Sequence, residues 1–157
     1  MKRLLIGNAA IARGAYEAGI TVATAYPGTP STEIVDTLST YEGFKAQWSP
    51  NEKVAMEVAA GASIAGARTL VAMKHVGVNV AADPLFSMSY IGVNGGMVIV
   101  SADDPGLHSS QDEQDNRGYG IFAKLPIIEP SNSQEALDFT RIDRKSTRLN
   151  SSHLAES

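Results

Sequence analysis

Short runs of Val, Ile and Ala alternate along this chain with helix-length segments, and no other feature constrains the fold as tightly. In Ile20–Ala25, Leu70–Lys74 and Gly96–Ala102 apolar residues stand at consecutive positions, so both faces of each strand need cover. A parallel sheet with helices on its two sides supplies that cover. The fold class expected is therefore α/β: an open, mostly parallel sheet with helices on both faces. A first helix spans about Asn8 to Ala18, with Asn8 as N-cap and Gly19 as its stop. After Ile20–Ala25, Thr29 caps a helix whose first position is Pro30. Phe44–Trp48 is a weaker strand, and Asn51 caps a helix running to about Ala67. Leu70–Lys74 and a helix near Ala81–Tyr90 follow, and Gly96–Ala102 reads as a central strand. The polar stretch Asp103–Arg117 is too long for an ordinary connection, hence functional or mobile. Pro126–Glu129 reads as a last short strand, and Ser133 caps the final helix.

With 157 residues the chain suits one domain, which we place at 1–142. Residues 143–157 have no apolar periodicity, and Arg144–His153 resembles a translated cloning junction, so a disordered, non-native tail is expected there, with a natural basic tail as the alternative. A complete lack of cysteine excludes a disulfide scaffold, a cysteine nucleophile, a zinc ribbon and a self-ligated iron–sulfur cluster. Net charge −4 and 6% aromatic residues argue against a nucleic-acid surface. No apolar run reaches the ~18 residues a membrane helix needs. Gly7, Asn8 and Arg13 break the signal-like start, so a cytoplasmic location is expected.

Glu57 draws attention because Val54, Val58, Gly61, Ala62 and Ala65 recur around it at three- and four-residue spacing. A carboxylate in such a stripe either pairs across the interface, acts chemically, or lies at the helix edge and reaches water. The expectation is a desolvated carboxyl at Glu57, with Glu52 exposed in the first turn of the same helix. The turn Tyr26-Pro27-Gly28-Thr29-Pro30-Ser31-Thr32 follows a strand and opens a helix, the place where open α/β sheets receive ligands, although a well-capped turn would read the same way. His75, His108 and His153 are too scattered for a metal site. Gly118-Tyr119-Gly120 follows a polar loop and not a strand, so it is no dinucleotide fingerprint.

Several blocks together carry a resemblance. Gly7-Asn8 with Ala10–Ala15, Ala25–Glu33, Asn51–Ala55, Gly61–Arg68, Met73–Pro84, and Ala102–Gly106 with His108–Gln111 resemble the N-terminal domain of the indolepyruvate ferredoxin oxidoreductase alpha subunit, in the 2-oxoacid:ferredoxin oxidoreductase family. The resemblance covers 1–142 and departs at Ala9, where an acidic residue is common. It implies a domain that binds the pyrimidine end of thiamine diphosphate, in an enzyme that oxidatively decarboxylates 2-oxoacids such as indolepyruvate to acyl-CoA and reduces ferredoxin. It further implies that Glu57 meets the pyrimidine nitrogen N1′, promoting loss of the thiazolium C2 proton. Pro27 and Asn79 become cofactor contacts, and Thr29, Gly28 and His75 substrate contacts. Asp103-Asp104 stand where related pyruvate enzymes carry an arginine. The diphosphate-binding domain with its Mg2+, the [4Fe-4S] clusters and the second subunit belong elsewhere in the enzyme. Three readings remain at this point: a fragment of such an oxidoreductase, inactive alone; the pyrimidine-binding subunit of a split thiamine-dependent decarboxylase; and a non-catalytic anion-binding α/β module.

Overall fold

A computed structural model describes residues 4–146, with side chains to 141. Four strands form one sheet: β1 (Val22–Ala25), β2 (Lys45–Trp48), β3 (Thr69–Lys74) and β4 (Met97–Ala102). All pairings are parallel and the order is β2-β1-β3-β4. Among the described residues seven helices surround it: α1 (Gly7–Glu17), α2 (Thr32–Ser39), α3 (Glu52–Ile64), α4 (Gly77–Val80), α5 (Ala82–Ile91), α6 (Arg117–Ala123) and α7 (Ser133–Ser146).

The period-two alternation of the strands sorts their side chains into two cores. Ala23, Ala25, Leu70 and Ala72 pack with Ala12, Ala15, Ile34, Val35 and Leu38 of α1 and α2. Val71 and Met73 pack on the other face with Ala55, Met56, Ala59, Leu85 and Ala123 of α3, α5 and α6. Helices therefore cover both faces, and the strands' unbroken apolar runs follow from that. Thr24 lies wholly inside, its hydroxyl donating to the Ala55 carbonyl at 2.7 Å and tying β1 to α3. α7 lies along α1, and the approach is so close that a Cβ on Gly14 would stand 2.5 Å from the Leu137 carbonyl oxygen.

Several local expectations are corrected. Asn8 is not a cap: Ile6 holds the N-cap position of α1, and the Asn8 amide donates to the Pro30 carbonyl and Glu33. Thr29 is not a cap either. The turn closes on itself through Ser31 Oγ donating to the Gly28 carbonyl and Gly28 N–H donating to Thr32 Oγ1, so α2 starts at Thr32. The Thr29–Pro30 peptide is cis. β4 pairs with β3 alone among the described strands, so it is an edge and not a centre; its apolar side chains are only half-buried against the two cores. Residues 126–129 form no strand. Asn132 caps α7 by accepting from Glu135 N–H, leaving Ser133 as the first helical residue. That helix runs to Ser146, so 143–146 are helical; the remainder of the expected tail lies outside the described residues. Asn51 does cap α3, with Oδ1 accepting from Val54 N–H, and Gly19 follows α1 in a left-handed conformation. No described helix is long and apolar enough to cross a membrane.

Candidate functional site

Because all strands run in parallel, their four carboxyl ends open along one edge of the sheet. Residues 26–31 leave β1 there, 49–51 leave β2, 75–76 leave β3, and 103–116 leave β4. The chain passes from β1 outward to β2, then crosses back so that β3 lands on the other side of β1. The crevice between β1 and β3 is thus the topological switch point, where open α/β sheets bind ligands.

Pro27 and Gly28 reach that crevice from the β1 side. Gly28 sits against β3: a Cβ there would lie 3.3 Å from Lys74 Cδ. Thr29 is exposed on the same turn. From the β3 side come Lys74, His75 and Gly77, and from the start of α3 comes Glu52.

The two glutamates of α3 exchange the roles expected of them. The helix buries Glu52, Ala55, Met56, Ala59, Ala60 and Ser63, a stripe at three- and four-residue spacing that begins on Glu52. Glu57 lies off it, with 51% of its side chain exposed and Lys53 Nζ at 4.0 Å. The expected stripe of Val54, Val58, Gly61, Ala62 and Ala65 is the outward one; in a helix so rich in alanine, small residues on either side suit close packing. Glu52 is only 8% exposed, and its carboxylate has no hydrogen bond or ion pair among the described residues. An acidic residue in the first turn complements the helix dipole, and the carboxylate oxygens, which are not among the fully buried unpaired atoms, keep contact with solvent. A ring N–H fits such an acceptor.

His75 is buried, 1% exposed, and its ring is turned to the β4–α6 loop and not to open solvent. Its Nε2 donates to the Asp112 carbonyl at 2.9 Å, which leaves Nδ1 as an acceptor without a described partner. The His75 carbonyl accepts from Asn116 Nδ2, which also donates to Ser101 Oγ. Asn79 exchanges two hydrogen bonds with the Gln114 amide, at 2.8 and 3.0 Å. Residues 103–116, expected to be functional or mobile, are therefore stitched to the ends of β3 and β4 by side-chain amides. Within the loop, Ser109 N–H donates to Asp104 at 2.6 Å, and this holds the Asp104 carboxyl below the usual range. Partial burial pushes the neighbouring Asp103 carboxyl up, with His75 opposing. Lys74, Gly77, Gln114 and Asn116 were not foreseen, and polar loop composition alone held no signal for the last two. Among the described residues no group of three or more His, Cys, Asp or Glu could hold a metal.

Comparison with known proteins bears directly on this edge. Residues 13–145 match the family model described as "Pyruvate flavodoxin/ferredoxin oxidoreductase, thiamine diP-bdg". The chain belongs to this family. Within the family it is 62% identical over 148 residues to the indolepyruvate oxidoreductase subunit IorA of Archaeoglobus fulgidus, covering 90% of this chain and 24% of that protein. The corresponding subunit of Pyrococcus abyssi is 55% identical over 141 residues, 88% of this chain and 22% of that one. The chain thus spans about a quarter of the length of these relatives. A solved 2-oxoglutarate:ferredoxin oxidoreductase from Magnetococcus marinus, with 2-oxoglutarate, coenzyme A and succinyl-CoA bound, shares the fold with a TM-score of 0.75 at 20% identity. The match covers 91% of this chain and 27% of that one.

Proposed function

We propose that this chain forms the pyrimidine-binding part of a thiamine diphosphate-dependent indolepyruvate:ferredoxin oxidoreductase, with Glu52 as the carboxyl that meets the aminopyrimidine ring. The observation that carries the reading is the largely buried Glu52, packed against Gly77 just beyond β3 with no hydrogen bond to its carboxylate among the described residues, in a chain of this family. In the complete enzyme a 2-oxoacid and CoA give acyl-CoA and CO2, and two electrons pass to ferredoxin. Thiamine diphosphate, when bound, supplies the acidic C2–H and the electron sink. This chain's residues hold the ring. Glu52 Oε keeps a proton at N1′, Pro27 and Gly28 wall the crevice on the β1 side, and Thr29 faces the substrate from the same turn. His75 and Asn79, expected as substrate and cofactor contacts, act through the loop they hold. Mg2+, the diphosphate-binding domain and the iron–sulfur clusters belong to other parts of the enzyme, which we place in the cytoplasm. Asp103-Asp104 at the end of β4 suit an arylpyruvate recognised by its ring better than a small acid held by a cation.

The test is the C2 proton exchange rate of thiamine diphosphate bound to the assembled enzyme, followed by NMR in heavy water. Glu52→Gln should slow it by about 10²-fold, the usual scale of positioned acid–base catalysis. Glu57→Gln should leave it unchanged. Equal rates in wild type and Glu52→Gln would overturn the assignment.

A further inference from the structure

Glu52 occupies a fixed place without a hydrogen bond to hold it, so packing must fix it. The surface it packs on is Gly77, the first residue of α4. Gly77 is buried and has no positive φ, so its backbone makes no demand for glycine. Its space does. A Cβ built there would stand 2.7 Å from Glu52 Oε1 and 2.8 Å from Cγ, closer than Cβ atoms come to their neighbours in folded proteins, and 3.0 Å from Cδ. All three nearest atoms belong to that one side chain.

We propose that Gly77 is a positioning residue: its missing side chain is what lets the Glu52 carboxylate stand beside the crevice. The inference rests on the assignment of Glu52 above and adds a residue that touches neither cofactor nor substrate. Because the atoms in the way end a flexible side chain, a methyl at 77 would swing Glu52 aside while leaving α3 and α4 in place. The chain should then stay folded with its carboxylate misplaced. Gly61, in α3 with open space around the site of its Cβ, is the matched control.

The first experiment reads thermal melting of the 157-residue chain in a four-way set: wild type, Gly77→Ala, Glu52→Ala and the double variant. With Glu52 present, the helix-favouring gain of alanine at 77 is cancelled by the collision. With Glu52→Ala it is released, so the same change should raise the melting temperature by about 2–4 °C more than in wild type. Equal shifts in the two backgrounds would overturn the proposal. The second follows the Glu52 carboxyl carbon by NMR in selectively labelled chain; Gly77→Ala should move that resonance and Gly61→Ala should not. The third is C2 exchange in the assembled enzyme, which Gly77→Ala should slow by tenfold or more and Gly61→Ala should leave alone. If Glu52→Gln leaves exchange untouched, the assignment of Glu52 fails, while melting and the carboxyl resonance still decide the steric claim.

Discussion

Asn51 sits one residue before Glu52 and accepts from Val54 N–H at 2.9 Å, satisfying one of the unpaired donors at the start of α3. Asn51→Ala should cost about 1 kcal/mol and lower the melting temperature by roughly 2–4 °C, measurable by calorimetry. The same change frays the turn that carries Glu52, so C2 exchange in the assembled enzyme should slow as well. At this scale the sequence was legible for the cap and misleading for the carboxylate. Glu52 and Glu57 stand five residues apart, about 140° around the helix, so only one can face inward. Alanines and glycines line both candidate stripes, and bulk, the usual sign of an inward face, is lacking. The decisive contact, Gly77, comes from another element, invisible to any window along α3.

Two close approaches of different kind govern the elements. At Gly14 a methyl would strike the Leu137 backbone and Thr140 Cβ, atoms that move only if α1 and α7 separate. Gly14→Ala should therefore lose about 1–2 kcal/mol in chemical denaturation, the overpacking cost exceeding the helix-propensity gain. The β4–α6 loop responds to acid instead. Its Asp104 carboxyl is held low by Ser109 N–H, so the tie is fully present above the ordinary carboxylate range and is lost as pH falls through the lowered value. The Ser109 amide resonance should titrate over that acid window, and Asp104→Asn should abolish the titration. β1, β3 and the major helices were readable from the sequence because burial on both faces of the central strands imprints itself on nearly every position. Sheet order was not, since β4 carries a core strand's composition while pairing on one side among the described strands. Loop order was hidden too, because amide hydrogen bonds such as Asn79 to Gln114 leave no apolar trace.

At the scale of the whole chain, this site is, on the proposed reading, one wall of a larger one. On that reading the chain supplies a carboxylate for a ring nitrogen, while among the described residues no acidic cluster could hold a diphosphate-bound metal. Calorimetry of the 157-residue chain with thiamine diphosphate and magnesium should therefore show binding weaker than micromolar, and the chain alone should release no electrons from 2-oxoacids in the presence of CoA. Tyr90, Ile91, Ile121 and Phe122 are largely exposed.

The crossed strand order also sets a clock. Val22 pairs with Lys45 on one side and Thr69 on the other, and Thr69 with Met97, so every rung joins residues distant in sequence. Loop-closure entropy is paid before any of these pairings is rewarded, which makes such topologies slow to form. Pro27, Glu52 and Gly77 come from three of the connections that those rungs must first bring together. A half-folded chain therefore holds no version of the crevice. In pulse-labelled hydrogen exchange during refolding, amides of β1, β3 and the start of α3 should gain protection in a single late phase.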